Sequence, residues 1–281
     1  MGSNLAASKI WIFKTSIISK YLNFTGENKM ETKINEIKKL FQAAKTDELP
    51  ELIGIYGKDE RSGVKTLIAR AEKQLEALEK EKIRTESLKV YEKEYETYGY
   101  VCGIDEVGRG PLAGPVVAGA VILPKDCKIL YLNDSKQLSE KKREELYDVI
   151  MEQAVACGIG YASPERIDEI NILQATYEAM REAISNLQVS PDILLNDAVT
   201  IPEVKIKQIP IIKGDAKSVS IAAASIIAKV TRDRLMVQYD SVFPEYGFAS
   251  NKGYGAQIPI EALKKYGPTP IHRKSFIKNF I

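Results

Sequence analysis

Short apolar runs alternate with longer amphipathic segments from Tyr100 onward, and this alternation restricts the folds that the chain can adopt. Apolar runs bounded by Gly, Pro, Asn or Asp are typical of strands. Five such runs occur: YVCGI, GPVVAGAVILP, ACGIGYAS, PDILLNDAV and KIKQIPII. Segments with helical spacing of apolar residues separate or follow them, at 139–155, 164–187, 219–239 and 260–266. Strands and helices in this order predict an α/β fold with a mixed central sheet flanked by helices.

The first hundred residues lack the alternation of predicted strands and helices that follows Tyr100. Residues 31–46 and 63–97 predict strongly charged helices. We therefore expect a helical N-terminal extension over 30–97 and an α/β domain with a C-terminal helical segment over 98–281. Packing of the extension on the α/β domain is favoured over a role as a handle for nucleic acid or a partner. A chain beginning near Tyr98 is expected to fold.

Residues 1–29 carry an apolar run interrupted by Lys14, which weakens the interpretation as a signal peptide. A cleaner helical pattern starts only after a second methionine, Met30. We interpret residues 1–29 as an artificial or upstream extension, and a targeting peptide is the less favoured alternative.

Histidine and cysteine usage excludes several classes of enzyme. The single histidine, His272, rules out a metal site built on several imidazoles. The three cysteines lack the close spacing of a zinc site or a disulfide framework, and they fit a reducing cytosol. No stretch of about 20 apolar residues predicts a membrane span, so we expect a cytoplasmic protein without a membrane partner. Any metal must then have oxygen ligands, which favour Mg²⁺ or Mn²⁺.

Basic residues are concentrated towards the C-terminus. Residues 207–281 hold 12 Lys and Arg against 5 Asp and Glu, a net charge of +7 in a chain whose total is +2. A basic half in a near-neutral chain suggests a face that meets a polyanion. From charge alone, an unevenly charged solvated surface is an equally good interpretation.

Carboxylates stand at the ends of three predicted strands. Asp105 follows YVCGI, Asp197 follows DILLN, and Asp215 follows IPIIKG. Ligands of α/β sheets collect beyond the strand ends, so these three acids are expected to converge. Taken alone, Asp215 in KGDAKS is equally compatible with a helix cap.

The fourth acid, Glu106, is adjacent to Asp105. Neighbours in a regular strand point to opposite faces, so the two acids share a site only if the strand stops there. Gly108 and Gly110 permit such a break and let Glu106 turn back. Four converging carboxylates raise one another's pKa or recruit a metal. Two divalent ions about 4 Å apart would neutralise them and serve phosphoryl transfer.

Six motifs together resemble bacterial ribonuclease HII over roughly residues 99–276. In chain order they are GIDEVGRGPLAGPVVAGAVILP, NDSKQLSEKKREEL, LLNDAV, IKGDAKSVSIAAASIIAKVTRDR, NKGYG and YGPTPIHRKSF. The resemblance implies the ribonuclease H-like fold and a metal-dependent endoribonuclease that hydrolyses RNA in RNA–DNA hybrids. It also implies cutting 5′ of single ribonucleotides embedded in duplex DNA, with 5′-phosphate and 3′-hydroxyl products. We expect the protein to act as a monomer.

The resemblance also assigns roles to individual positions. The catalytic and metal-binding carboxylates fall on Asp105, Glu106, Asp197 and Asp215. Substrate contacts fall on Gly108, Arg109 and Gly110, whose backbone reads the 2′-hydroxyl, and on Tyr254, which senses the junction with DNA. The 2′-hydroxyl is the group that distinguishes RNA from DNA at a site. Phosphate contacts are expected from Lys136, Lys217, Ser218 and Ser225.

Two positions have no clear role at this stage, and two rival functions remain. Asn196 stands where apolar residues are common in relatives, and His272 is favoured as a structural histidine. One rival is a nucleic-acid binding module that keeps the fold without catalysis, although all four acids are present. The other is a different carboxylate enzyme on the same fold, such as a recombinase nuclease, which should lack GRG and KGYG.

Overall fold

Five strands form one mixed sheet with the order β3-β2-β1-β4-β5. The computed structural model describes residues 32–281, and the prediction for residues 1–29 lies outside them. β2 runs antiparallel to β1 and β3, whereas β1, β4 and β5 are parallel. The predicted mixed α/β sheet is therefore confirmed. The strands are β1 Val101–Val107, β2 Val116–Ile122, β3 Ala156–Ala162, β4 Ile193–Asp197 and β5 Lys207–Ile211.

Helices that follow the first two strands cover both faces of this sheet. The N-terminal helices are α1 Ile34–Ala43, α2 Leu49–Tyr56, α3 Ser62–Ser87 and α4 Val90–Glu94. Those that follow the first strands are α5 Glu140–Gln153, α6 Pro164–Ser185, α7 Val219–Val242, α8 Phe248–Asn251, α9 Gln257–Tyr266 and α10 Lys274–Ile277. Among the described helices, none is both long and apolar enough to span a membrane.

Small residues allow α7 to lie close to one face of the sheet and α6 close to the other. A Cβ at Gly119 in β2 would stand 2.5 Å from the carbonyl oxygen of Ala224 in α7. A Cβ at Gly160 in β3 would collide with the carbonyl oxygen of Ala179 in α6. Glycine at these crossings lets the helix backbone approach the strand directly, and β2 is buried along its whole length.

The main differences from the predicted elements have local causes. The segment 63–97 is not one helix, because α3 ends at Ser87 and the short α4 follows. Helix α2 was not predicted. Helix α6 is kinked at Asn171, whose φ is 69°. The Asn171 Oδ1 accepts hydrogen bonds from the backbone N–H groups of Leu173 and Gln174, so this side chain caps a new helical start.

The chain divides into two compact units between Ile83 and Arg84. In the first unit the helices bury a small apolar core formed by Ile37, Leu40, Leu49, Leu52, Tyr56, Val64 and Ala71. The second unit contains the sheet, and the sequence-based boundary at residue 98 stays a prediction.

Two residues that the sequence analysis assigned to the extension lie in the second unit. Leu88 is buried against α5 and α7, and its carbonyl accepts a hydrogen bond of 3.2 Å from the N–H of Val219. The Oε1 of Glu92 accepts hydrogen bonds from the Ser218 hydroxyl at 2.5 Å and from the Ser220 N–H at 3.0 Å. A carboxylate at this point also complements the positive N-terminal end of α7. Residues 84–97 thus contribute to the unit that carries the sheet.

We predict that a chain beginning at Arg84 keeps the stability of the second unit, whereas one beginning at Tyr98 is less stable. Loss of Leu88 burial costs about 1.5–3 kcal/mol, and loss of a helix-capping contact costs about 0.5–2 kcal/mol. Urea unfolding of both chains measures the difference, with Leu88→Ala in the full chain as the matched control. Equal unfolding free energies for the two truncated chains would contradict the contribution of Leu88 and Glu92.

Candidate active site

Asp105 lies in β1, two residues before the end of the strand, on the face that α7 covers. It pairs with Gly119 in the β1–β2 ladder, its exposed fraction is 6%, and it is hydrogen-bonded to Ser225 of α7. Burial, followed by the charges of Glu106 and Asp197, raises the pKa of Asp105 well above its ordinary value. A carboxylate held in this way is poised to accept a cation.

Strand β1 does not stop at the acid pair. It continues to Val107, and Glu106 pairs with Ala118 of β2. The strand break expected at the acid pair is therefore absent, although the charge of Glu106 still raises the pKa of Asp105. The physical reason is that only one ladder ends here: pairing of β1 with β4 stops at Ile104, whereas pairing with β2 goes on.

Glu106 nevertheless remains electrostatically part of the cluster. Its Oε1 lies 3.4 Å from Nη1 of Arg109 in an ion pair. Burial raises the pKa of Glu106, Arg109 opposes that rise, and the charge of Asp197 adds to it. The acid thus interacts with the charges of the cluster and is paired with Arg109.

Asp197 and Asp215 are brought together by the turn after β5. Asp197 is the last residue of β4, and its Oδ1 accepts a hydrogen bond of 2.7 Å from the N–H of Gly214. Asp215 follows in a short 3₁₀ turn, with an exposed fraction of 8%. Burial, then the charges of Asp134 and Asp197, raise the pKa of Asp215, and Lys136 partly opposes the rise.

Lys136 is a positively charged side chain that interacts with these carboxylates. Burial lowers the pKa of Lys136, but the charges of Asp134, Asp105, Asp215 and then Asp197 raise it, and the net shift is upward. The lysine lies in a 3₁₀ turn, and its own backbone N–H donates to Asp134 Oδ1 at 2.9 Å. Asp134 is therefore a fifth acid at the site, and the sequence analysis did not single it out.

The donor chemistry of the cluster fits a divalent ion. All the acids supply oxygen, the ligand that Mg²⁺ and Mn²⁺ prefer. Two of them, Asp105 and Asp215, are buried with raised pKa values, so a nearby cation lowers the cost of their charge. Within residues 32–281, however, no three Asp, Glu, His or Cys side chains are arranged to hold a metal ion. Binding such an ion here requires the carboxylates to turn towards one another.

The predicted substrate loops lie beside the cluster. Gly108 is buried with φ of 90°, whereas Arg109 and Gly110 are exposed. The ring of Tyr254 is 45% exposed, and its Cε1 lies 3.9 Å from where a Cβ on Gly110 would stand. Gly253 has φ of 84°, and a Cβ there would meet the carbonyl oxygen of Ala113 at 2.5 Å. The structure thus brings the NKGYG loop against the GRG loop.

The remaining predicted contacts divide into two groups. Lys217 is exposed next to Asp215, and Ser225 hydrogen-bonds Asp105 and the hydroxyl of Ser135, so both stand at the site. Ser218 does not face it. It is fully buried as the N-cap of α7, accepts from the N–H of Ile221 at 3.2 Å and donates to Glu92. Its hydroxyl is thereby used within the fold, which corrects the expectation of a phosphate contact.

Both residues without a clear role have structural contacts. The ring of His272 packs in a tilted orientation against Tyr246 and Phe248, its Nδ1 accepts from the N–H of Thr269 at 3.0 Å, and burial lowers its pKa to about 4. The favoured interpretation as a structural histidine is confirmed.

Asn196 is likewise fully buried, and its Nδ2 donates to Gln208 Oε1 at 2.7 Å and to the carbonyl of Val199 at 3.1 Å. Asn196, which precedes Asp197 in β4, is thereby connected to the first part of β5 and to the loop that follows β4.

A mixed sheet with buried carboxylates at the end of its central strands, beside a glycine-rich loop, defines a nuclease with the ribonuclease H-like fold. Comparison with known proteins agrees. The family model for ribonuclease HII matches residues 102–279, and that for the ribonuclease HII N-terminal domain matches 33–96. The chain belongs to the ribonuclease HII family. It is therefore a ribonuclease, and family membership makes RNA in RNA–DNA hybrids its substrate class.

Individual relatives support the same assignment. The chain is 66% identical to a ribonuclease HII of Lachnoclostridium phytofermentans over 250 residues, which is 89% of this chain and 98% of the relative. It is 54% identical to one of Clostridioides difficile, over 88% of this chain and 98% of the relative.

Among solved structures, ribonuclease H2 of Pyrococcus horikoshii has 31% identity and a TM-score of 0.53, covering 62% of this chain and 92% of that chain. The ribonuclease HII of Archaeoglobus fulgidus, solved in a complex with PCNA, has 29% identity and a TM-score of 0.53, covering 64% and 96%.

We predict that Asp105→Asn raises the stability of the metal-free protein and removes stabilisation by Mg²⁺ or Mn²⁺. The folded-state pKa of Asp105 is raised, so its charge costs stability above the unfolded pKa of about 4, and the cost grows as pH rises through the folded pKa. Each kcal/mol recovered should raise Tm by about 2–4 °C.

Thermal melts in EDTA between pH 4 and pH 8, and then with added metal, provide the measurement. Wild type should lose Tm relative to Asp105→Asn as pH rises in EDTA, and wild type should gain more Tm from the metal. Asp148→Asn, an acid on α5 for which no role at the site is expected, is the control. A metal-dependent Tm shift of equal size in wild type and Asp105→Asn would remove Asp105 from the ligand set.

Proposed function

We propose that this ribonuclease cuts RNA–DNA hybrids and also cuts 5′ of single ribonucleotides embedded in duplex DNA, leaving 5′-phosphate and 3′-hydroxyl ends. One observation carries the proposal: the GRG loop meets the carboxylate cluster at Arg109 and comes near the ring of Tyr254 at Gly110. On one side Arg109 pairs with Glu106 at 3.4 Å, and on the other the Tyr254 ring contacts the Gly110 position. The catalytic carboxylates and the loops proposed to recognise the sugar are thereby close enough to act on the same nucleotide.

The four carboxylates Asp105, Glu106, Asp197 and Asp215 are proposed as the ligands for Mg²⁺ or Mn²⁺, with two ions at the site. When bound, these ions supply an activated water and charge stabilisation for a displacement at phosphorus. The chain's own part is to keep four negative groups at the end of the sheet and to exclude bulk water from Asp105 and Asp215, which are 6% and 8% exposed. In that setting the carboxylates interact more strongly with a cation than they would in water.

Phosphates of the substrate are proposed to contact Lys136, Lys217 and Ser225. Lys217 is exposed beside Asp215, and Lys136 lies among the acids, so both cations border the place where a scissile phosphate would lie. Phosphate contacts set the position of the substrate without reading sequence. Cleavage without sequence preference follows from this, because the only further feature read is one 2′-hydroxyl.

Backbone groups of Gly108, Arg109 and Gly110 are proposed to read that hydroxyl. The exposed Arg109 and Gly110 present peptide groups to solvent, and glycine at 110 leaves room for a sugar to approach. Tyr254 is proposed to pack its ring on the deoxyribose that follows the ribonucleotide. A substrate with only one ribonucleotide then satisfies both contacts at the RNA–DNA junction.

The deciding experiment uses duplex DNA that contains a single ribonucleotide, incubated with the protein in Mg²⁺ or Mn²⁺, and the cut is mapped at nucleotide resolution. We expect one nick, 5′ of the ribonucleotide, with a 3′ end that a polymerase extends directly. An all-DNA duplex of the same sequence and wild type in EDTA serve as controls. Cleavage of long hybrids with no nick at the single ribonucleotide would restrict the function to hybrids.

The same assay distinguishes a nuclease from the rival function, a nucleic-acid binding module without catalysis, because such a module would bind both substrates and cut neither. Monomeric state and cytoplasmic location stay predictions.

We predict that Tyr254→Phe lowers cleavage at a single ribonucleotide by about two- to tenfold, because one hydrogen bond of about 0.5–1.5 kcal/mol is lost. Tyr254→Ala should lower it further, because the ring that lies over Gly110 is removed. Both losses should be smaller on a long RNA–DNA hybrid, which offers many registers. The measurement is kcat/KM on the two substrates for wild type, Phe and Ala.

Tyr266→Ala is the matched control, since Tyr266 is an exposed tyrosine of α9 for which no contact with substrate is proposed. It should leave both substrates unaffected. Equal losses on the two substrates for Tyr254→Ala would identify a packing residue and remove junction sensing from the proposal.

A further inference from the structure

Two arginines, Arg232 in α7 and Arg273 just before α10, are fully buried. Within residues 32–281, every hydrogen-bond acceptor that the structure gives to these two guanidinium groups is a backbone carbonyl. Burial of a charge without a carboxylate partner is costly. Burial accordingly lowers the pKa of both arginines, and for Arg273 the neighbouring charge of Arg232 lowers it further.

Arg273 binds the underside of the GRG loop. Its Nη2 donates to the carbonyl of Gly108 at 2.5 Å, and its Nη1 donates to the carbonyl of Arg109 at 2.9 Å. Its Nε and Nη2 also donate to the carbonyl of Gly114, at 2.9 and 2.8 Å. The two arms of one planar guanidinium thus hold both ends of the loop from Gly108 to Gly114.

Arg232 joins that loop to the loop of Tyr254. Its Nε and Nη2 donate to the carbonyls of Pro115 at 2.9 Å and Ala113 at 3.1 Å, and its Nη1 donates to the carbonyl of Lys252 at 2.9 Å. A Cβ at Gly108 would collide with the Arg232 guanidinium. The loops and the two side chains therefore interlock, and neither loop can shift without breaking bonds to a buried charge.

Because the peptide bond is planar, these carbonyl contacts also fix the direction of the N–H groups on the outer side of the GRG loop. In a trans peptide the C=O of one residue and the N–H of the next point in opposite directions. The carbonyls of Gly108 and Arg109 point inward to Arg273. The N–H groups of Arg109 and Gly110, which belong to the same two peptides, must therefore point outward, where both residues are exposed.

We propose that Arg273, supported by Arg232, is a positioning residue that fixes the outward N–H groups of Arg109 and Gly110 and thereby determines selection of the ribose 2′-hydroxyl. The inference rests on the proposed function, because it assumes that this loop meets the ribose. It assigns the discrimination to a buried side chain that does not touch the substrate. The planar fork is essential, because a lysine carries the same charge but cannot donate along both arms to separate carbonyls.

The test compares binding of two DNA duplexes that differ by a single 2′-hydroxyl. Full-length protein carrying Asp105→Asn, to prevent cleavage, is titrated with an all-DNA duplex and with the same duplex containing one ribonucleotide, at one salt concentration. The ratio of the two Kd values isolates recognition of the hydroxyl, since the phosphate contacts are common to both. Arg273→Met and Arg273→Lys are then introduced into that background.

We expect the ratio to fall about tenfold in both variants, the loss of one or two well-aligned hydrogen bonds to the hydroxyl, while affinity for the all-DNA duplex changes little. Leu263→Ala is the matched control, because Leu263 is buried in the apolar cluster that also contains Ala113 and Ile271. It destabilises the same region and should leave the ratio unchanged. If Arg273→Met does not fold, Arg273→Lys carries the test, because it keeps the buried charge and most of the volume.

The outcomes separate the inference from the proposed function. If the parent protein prefers the ribonucleotide duplex and both Arg273 variants keep the preference, the positioning role is overturned while the proposed function stands. A parent protein that binds the two duplexes equally would refute recognition of the ribose, and the inference with it, before any variant is considered. A ratio lost equally in Leu263→Ala would assign the effect to general loosening and overturn a specific role for Arg273.

Discussion

Mutual repulsion of buried carboxylates at the end of β1 and β4 is the constraint on which the rest of the structure depends. Asp105 and Asp215 are almost fully buried, and neighbouring acids raise their pKa values further. Without a cation such a cluster lowers the free energy of unfolding. The surrounding sheet, with β2 buried throughout and helices on both faces, supplies the apolar burial that tolerates this cost. Function and stability therefore oppose each other at one end of the sheet.

The substrate contacts proposed beside the cluster are of two kinds with different physical properties. Lysines such as Lys136 and Lys217 are mobile point charges, so their contribution is screened by salt and does not distinguish RNA from DNA. Outward peptide N–H groups on a fixed loop carry little net charge, but they form a hydrogen bond only with an acceptor that lies at one particular position. Affinity and selectivity are in this way separated between side chains and backbone, and each can change without the other.

The sequence predicted those parts of the site that follow from local periodicity. Asp105, Asp197 and Asp215 were located because apolar runs predicted the strands that position them. The continuation of β1 past the acid pair was not predictable, because it depends on whether one ladder or both end at that point. Local pattern does not contain that information.

Long-range polar contacts were the other feature that the sequence did not reveal. Arg232 and Arg273 occur in motifs of charged residues, TRDR and HRKSF, where a solvated side chain is the usual expectation. Their burial depends on carbonyls more than a hundred residues away in the chain. Glu92 was likewise assigned to an exposed helix, although it caps α7 across 126 residues.

The charges of the buried arginines and of the buried carboxylates are compensated to different extents. This difference accounts for the different roles that we propose for them. The guanidinium groups of Arg232 and Arg273 find fixed acceptors in the backbone, so their charge is compensated within the fold and makes two loops rigid. The cations that interact with the carboxylates, Lys136 and Arg109, are carried on flexible side chains. Their charge is thus incompletely compensated by the protein, and a bound cation lowers their energy further. On the proposed function, the rigid loops would position the sugar, and the incompletely compensated carboxylates beside them would bind the ion that acts on the phosphate.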